Sequence, residues 1–447
     1  MKKGFITAAI CALAIPATAM AAPSNEELHQ MIIENQKQIT DVQTESTKQG
    51  SHIEFSKKTG APEWKSPDGR SSFAIGGRVT TDIANFDDMY KGGKKSKLTR
   101  SNTSNEVRKL YLSVEGTFSE FWEYEIQWDF AEAEVDLKDA NLTYTGLEND
   151  EFTLGWQKVR YGLESTTSSK YTNFMERGLT DVFSPERGIG ALWTHRYSKG
   201  ITQVSALYSN GYAEQDLVDH QADAATFLGR VTYVPVLDKE RGQVFHLGAN
   251  IGHFNYDYAD DADDEDGDQV LEFEARPNAH LAEKLVGVDF ENPEKDWRYA
   301  LEAAYSGHGF LISGEYAGVR VDDADNNETY NFDAFYLSAF YMLTGESHKY
   351  KKSSGYFKEV KPFNPVSEGG YGAWEIGARY SAISLTDGDK FGGDMSTITL
   401  GLNWYLENNL KFVLNYVHFD ADNYEDDPDY VDSQRGNIVM ARIQYYF

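Results

Sequence analysis

The stretch EYEIQWDF, Glu123 to Phe130, decides the fold. Tyr124, Ile126, Trp128 and Phe130 alternate with Glu123, Glu125, Gln127 and Asp129, so an extended chain carries rings on one face and polar groups on the other. The same period recurs where Ile398, Leu400, Leu402 and Trp404 alternate with Thr397, Thr399, Gly401 and Asn403. It recurs again where Trp374, Ile376, Ala378 and Tyr380 alternate with Glu375, Gly377 and Arg379. A soluble sandwich alternates in this way too, but over a chain of 447 residues it needs repeated core-filling aliphatics. Here aromatics reach 14% while the mean hydropathy is −0.55. That mixture fits a transmembrane antiparallel β-barrel, with an aromatic, apolar face toward lipid and a polar face toward water.

Working outward, the alternation predicts strands at 73–86, 106–118, 121–131, 135–145, 150–157, 187–197, 200–209, 225–235, 243–255, 297–306, 309–320, 331–344, 371–385, 395–405, 410–420 and 436–447. This is an even total of about sixteen, as bacterial outer-membrane barrels have. Short links, FSEF at 118, YSKG at 197, SGHG at 306 and LENN at 406, alternate with longer ones, the pattern of periplasmic turns and outer loops. One link breaks the rule, since residues 345–370 fall on the periplasmic side and are long. The last strand ends with Ala441, Ile443, Tyr445 and Phe447 on one face, resembling the aromatic carboxy-terminal signal for barrel insertion.

Residues 1–21 read as a secretory signal peptide: Lys2 and Lys3, a short apolar run, and Ala19-Met20-Ala21 as the cleavage site. The run from Phe5 to Ala14 is too short to span about 30 Å of hydrocarbon. Cys11, the single cysteine, leaves with the signal, which excludes disulfides and cysteine metal sites from the mature chain. The net charge of −29 makes nucleic acid an unsuitable partner. In residues 22–46, Leu28, Ile32, Asn35, Ile39, Val42 and Ser46 keep a heptad spacing, so a short coiled-coil-like helix is expected, with an ordinary amphipathic helix or a tether as the alternative. Residues 47–71 read as a linker, and residues 72–447 as the barrel.

Three stretches, GGYGAWEIGARYS at 369–381, TLGLNWYLENNLKFVLNYV at 399–417 and FTLGWQKVRYGLESTTSSKYTNFMERG at 152–178, resemble the phosphate-selective porin O and P family of outer-membrane channels. The resemblance runs over almost the whole barrel. It implies a trimer of sixteen-stranded barrels, each narrowed by inward-folded loops that carry lysines and arginines and pass small anions such as phosphate. On that pattern the third outer connection, 158–186, folds inward, and Lys170 and Arg177 line its narrowest part. Such residues suit the task, because an anion that loses water in a narrow bore needs charge-assisted hydrogen bonds in exchange.

Other basic positions match less fully. In EVRKLYLSVEG, Lys109 faces the lumen by alternation while Arg108 sits at the strand edge; Arg78 in IGGRV could extend a basic track. The family folds the long periplasmic turn up into the lumen, which would bring in Lys349, Lys351, Lys352, Lys358 and Lys361. Each of these cations is otherwise an ordinary wet surface group.

The outer loops oppose this reading. DYADDADDEDGDQ at 257–269 holds eight acids and DADNYEDDPDYVD at 420–432 holds seven, and both would repel a phosphate dianion within a Debye length, about 8 Å at physiological salt. With Glu176 beside Arg177, a general or cation-preferring porin is the alternative, and a structural barrel is a further one. The first acidic loop fails the EF-hand spacing, because Gly267 as the sixth position puts Ala262 first and Phe273 last. Divalent ions could still bridge these loops to lipopolysaccharide. No serine, histidine and acid fall at a spacing that signals a hydrolase, and no cofactor is implied.

Overall fold

The period-two alternation closes on itself. In the computed structural model sixteen antiparallel strands form a ring: β1 (Ser72–Asp87), β2 (Thr103–Ser119), β3 (Trp122–Asp129), β4 (Asp136–Tyr144), β5 (Asp150–Lys158), β6 (Arg187–Tyr197), β7 (Gly200–Ser209) and β8 (Asp223–Asp238), then β9 (Gln243–Asp257), β10 (Pro293–Gly307), β11 (Phe310–Asp323), β12 (Glu328–Met342), β13 (Ala373–Asp387), β14 (Lys390–Tyr405), β15 (Leu410–Asp422) and β16 (Ser433–Tyr446). Each strand pairs with its chain neighbour. β16 returns to β1 with Arg442 opposite Asp82, so the ring has no open edge. All sixteen expected segments are strands, their ends displaced by a few residues.

The structure describes residues 61–87, 103–131, 135–209, 223–238, 241–257, 271–422 and 433–447, the backbone of 52–55, and isolated helical positions between 26 and 37. The leader with Cys11, the heptad positions and most of the two acidic runs lie outside the described residues. Within the expected linker, His52–Phe55 and Pro62–Lys65 are short strands.

On β1 the side chains sort as the alternation requires. Phe73, Ile75, Val79 and Ile83 are exposed outward, while Ala74, Arg78, Thr80 and Asp82 are buried inside. Among the described residues no helix is long and apolar enough to cross a membrane. At the end carrying the short turns, Trp374 and Trp404 stack at 5.0 Å, and both indoles donate to the Tyr371 carbonyl, forming an amphipathic anchor at the lipid boundary. Phe447 is locked there too. Its N–H donates to Gly77 O at 3.0 Å and its carbonyl accepts from Gly77 N at 3.0 Å. A Cβ on Gly77 would lie 2.5 Å from the Phe447 ring, so glycine lets the ring lie directly over the backbone.

The connections depart from simple alternation in two places. Residues 324–327 and 388–389 join strands at the outer end yet are tight turns, where longer loops are expected. Between β9 and β10, by contrast, the chain sends an unexpected hairpin, Leu271–Ala275 with Val286–Phe290, into the barrel. Its apolar alternation, LEFEA and VGVDF, packs on the inner wall beside those tight turns: Phe290 lies 6.1 Å from Phe332 and 5.6 Å from Tyr330. Phe183, Phe273 and Leu385 are fully buried in the same cluster. Each buried ring contributes about 1.5–3 kcal/mol, enough to hold an inward insert against the wall. The inserts reach the wall from β7, where Gly355 lies by Ile201, round to β1, where Ser169 meets Arg78. Opposite them, the inward residues Lys109, Tyr111, Ser113, Gln127 and Asn141 of β2–β4 remain half-buried, so the lumen runs along that side.

Candidate functional site

The third outer connection, between Lys158 and Arg187, contains one α-helical turn, Leu163–Thr166, and one 3-10 turn, Leu179–Phe183, both too short to stand alone. The barrel wall supplies its partners. Gly162 N–H donates to Asn250 Oδ1 at 3.0 Å, and the N–H groups of Leu163 and Glu164 donate to the Glu315 carboxylate at 2.5 and 3.0 Å. Further along, Met175 N–H donates to Asn415 Oδ1 and Leu179 N–H to Ser381 Oγ, each at 2.9 Å. Gly178 N–H then closes the connection on itself by donating to Glu164 Oε2 at 2.6 Å. A Cβ on Gly178 would meet the Tyr336 ring at 2.6 Å, so glycine permits this close approach. Burial pushes the Glu164 carboxyl up, although Arg379 lies 3.5 Å away.

Against this connection, on β1 and β2, lies a group of cations. A bulge in β2 shifts the register between Thr80 opposite Lys109 and Thr81 opposite Val107. Arg108 is the extra residue, and a bulge re-aims one side chain. Both Arg108 and Lys109 therefore point inward, which corrects the expectation that Arg108 stays at the strand edge. Arg108 Nε lies 3.5 Å from Glu176 Oε1. Arg78 stacks over the Tyr111 ring at 4.2 Å and donates to Ser169 Oγ at 3.0 Å. Lys109 Nζ is 5.5 Å from the centre of the same ring and 3.4 Å from its hydroxyl, within the field of Arg108, Arg78 and Arg177. Among the described residues no carboxylate oxygen lies within 4.0 Å of Arg78 or Lys109, and Arg78 Nε is a buried donor without a partner.

Glu176 is the counterweight. Burial alone would raise its carboxyl, but Arg108 and Arg442 hold it well below the usual carboxylate range. Arg442 Nη2 donates to Glu176 Oε1 at 2.8 Å and to Asp82 Oδ2 at 2.6 Å. The narrowed lumen thus mixes cations with fixed anions.

The structure separates the other expected residues. The connection descends to Lys170 and climbs back to Arg177, so the two lie at different depths. Lys170 sits toward the periplasmic end, its Nζ 5.2 Å from the rings of both Tyr171 and Tyr446, while its carbonyl accepts from Gln444 at 3.0 Å. Arg177 donates to Asp181 at 3.0 Å, and Asn278 at the tip of the inward hairpin donates to its carbonyl at 2.6 Å. The long periplasmic turn does enter the barrel, where Arg230 donates to Ser354 O and Gly355 O at 3.2 and 2.9 Å. Lys358 pairs with Glu359 at 3.2 Å, and Lys361 is exposed. Lys352 donates to Ser198 O at 3.1 Å in the β6–β7 turn, away from the basic group on β2.

Several groups of the site were missed from the sequence. Lys158 lies among Arg177, Arg187, Asp181 and Glu186 at the root of the connection. Arg442 and Arg379 were legible in principle: in ARIQYYF and EIGARY each falls between outward residues, so a cation on that parity must point inward.

Residues 73–447 match the family described as phosphate-selective porin O and P. Porin O of Pseudomonas aeruginosa is 28% identical over 444 residues, which cover 88% of this chain and 92% of that protein. Among solved structures, the outer membrane channel DcaP of Acinetobacter baumannii is similar with a TM-score of 0.53 and 11% identity, over 86% of this chain and 99% of that one. OmpT, an outer membrane protein of Vibrio cholerae, gives a TM-score of 0.50 at 12% identity over 84% and 98% of the two chains. At these identities the two structures speak for the fold alone.

Proposed function

This chain belongs to the phosphate-selective porin O and P family of outer-membrane β-barrels, and from that premise we propose that its lumen passes small anions, phosphate and related oxyanions among them. The observation that supports this most is the pair Arg78 and Lys109, two cations beside the narrowed lumen with no carboxylate within 4.0 Å among the described residues. An anion that sheds water there gains charge-assisted hydrogen bonds, and Arg108 adds a third cation that Glu176 only partly offsets. Chloride current through the reconstituted protein should fall as inorganic phosphate is added, because an anion held longer at the cations slows the faster one. A chloride current indifferent to phosphate contradicts the reading.

A second reading, a general or cation-preferring pore, is favoured by three acids on the inner face: Glu176, which pairs with Arg108, Glu106, which pairs with His280, and Asp181, which pairs with Arg177. It predicts no phosphate block. We also propose a homotrimer. β3, β4 and β5 have 8, 9 and 9 residues, at or below the 9–11 that a tilted strand needs to cross the hydrocarbon. Their outward Leu142, Phe152 and Leu154 fit the surface of a neighbouring barrel better than a full depth of lipid. Lipid and lipopolysaccharide would cover the remaining outward face.

A further inference from the structure

We propose that Glu375 is the positioning residue of the constriction, tying the third outer connection and the long periplasmic turn to one point of the barrel wall so that they narrow the lumen as a unit. The proposal rests on the channel reading above. Glu375 is on β13, with its side chain 1% exposed. Its Oε1 lies 2.5 Å from His348 Nε2, which belongs to the periplasmic turn. Its Oε2 accepts from Asn173 Nδ2 of the third connection at 2.9 Å, and from Asn403 Nδ2 and Tyr405 OH of β14 at 2.8 and 2.9 Å. Asn173 and His348 also touch each other at 3.3 Å.

Four donors on one buried carboxylate are more than stability requires, since apolar side chains of similar volume would fill the space at no desolvation cost. What an apolar filling could not do is fix two separate inserts in register. The tip of the connection keeps another anchor, Lys411 Nζ to Thr172 O at 2.7 Å, but that bond reaches only β15 and leaves the periplasmic turn untied. Glu375 connects both.

Single-channel recordings of Glu375→Ala and Glu375→Gln in planar bilayers separate positioning from charge. Gln can offer its carbonyl oxygen to Asn173, Asn403 and Tyr405 and its amide to His348, so it should keep the wild-type conductance, noise and phosphate block. Ala should raise open-channel noise and lose the phosphate block while the barrel stays heat-modifiable on gels. If Ala does not fold, Asn173→Ala should show the same noise and loss of block, because it leaves the carboxylate its other donors. The proposal is overturned if the folded alanine variant records like wild type. It is also overturned if Gln shifts the reversal potential as far as Ala does, which would make Glu375 a field group. Should the wild type itself prove cation-selective, the anion reading fails, yet the noise comparison still decides whether Glu375 holds the inserts.

Discussion

Asp82 on the first strand and Arg442 on the last lie directly opposite each other across the seam that closes the barrel, with Nε to Oδ1 at 2.7 Å and Nη2 to Oδ2 at 2.6 Å. The same guanidinium donates to the Met175 carbonyl and to Glu176. One side chain therefore joins the seam, the inward connection and the carboxylate that faces Arg108. A guanidinium suits this because its fork serves several acceptors at fixed angles.

Arg442→Ala should then act on stability and permeation together. It strands Asp82, 6% exposed, beside Glu176, and breaking a buried pair costs about 3–5 kcal/mol. The temperature at which the folded band converts on a semi-native gel should drop, and channel current should grow noisier. Arg442→Lys should recover part of both, since an ammonium keeps the charge without the fork. An unchanged conversion temperature would show that the seam does not depend on this pair.

The response to acid follows from Glu176, which Arg108 and Arg442 hold well below its ordinary value of 4.5. A depressed carboxyl contributes stability that is present above 4.5 and is lost as pH falls through the folded value. Protonation of Glu176 should therefore leave conductance and selectivity unchanged from neutral pH down to 4.5, the change due to this group coming only below it. A transition between pH 5 and 7 would assign the titration elsewhere.

Among charge reversals, Lys109→Glu should abolish phosphate block and lower chloride conductance, because Lys109 lacks a close carboxylate among the described residues and faces the lumen. Lys170→Glu should do less, its ammonium lying between two tyrosine rings toward the periplasmic end. Lys352→Glu should do least, since Lys352 is tied to Ser198. Equal effects from all three would mean that the cations act only through a general field.

Oligomeric state can be read by cross-linking in mild detergent. Trimers are expected, and Phe152→Arg on the short β5 should release monomers that keep the heat-modifiable barrel. A monomeric wild type would contradict the proposed assembly.

Much of the barrel was legible because a single physical rule, side chains alternating between lipid and water, acts on every strand. Ile398 and Leu400 carry that rule in sequence and obey it in structure, exposed outward while Thr397 and Thr399 are buried inside. The interior was less legible, because inserts answer to partners distant in sequence. Nothing local to LEFEA distinguishes a hairpin inside the barrel from a loop above it, and its place is set by Phe332 and Tyr330 on β12. Arg108 was misplaced for a smaller reason. One bulge residue inverts the parity on which its orientation was read, and bulges leave no fixed mark in sequence.

The reversal potential of the wild-type protein in a planar bilayer, across a potassium chloride gradient at neutral pH, tests the central claim most directly. A chain of net charge −29 offers cations every advantage at its surface, so the sign of the potential reports the constriction and not the mean charge. The account predicts a potential of the sign set by chloride permeation, moved toward zero or reversed in Lys109→Glu. A potential set by potassium would contradict it and establish the general, cation-preferring pore in its place.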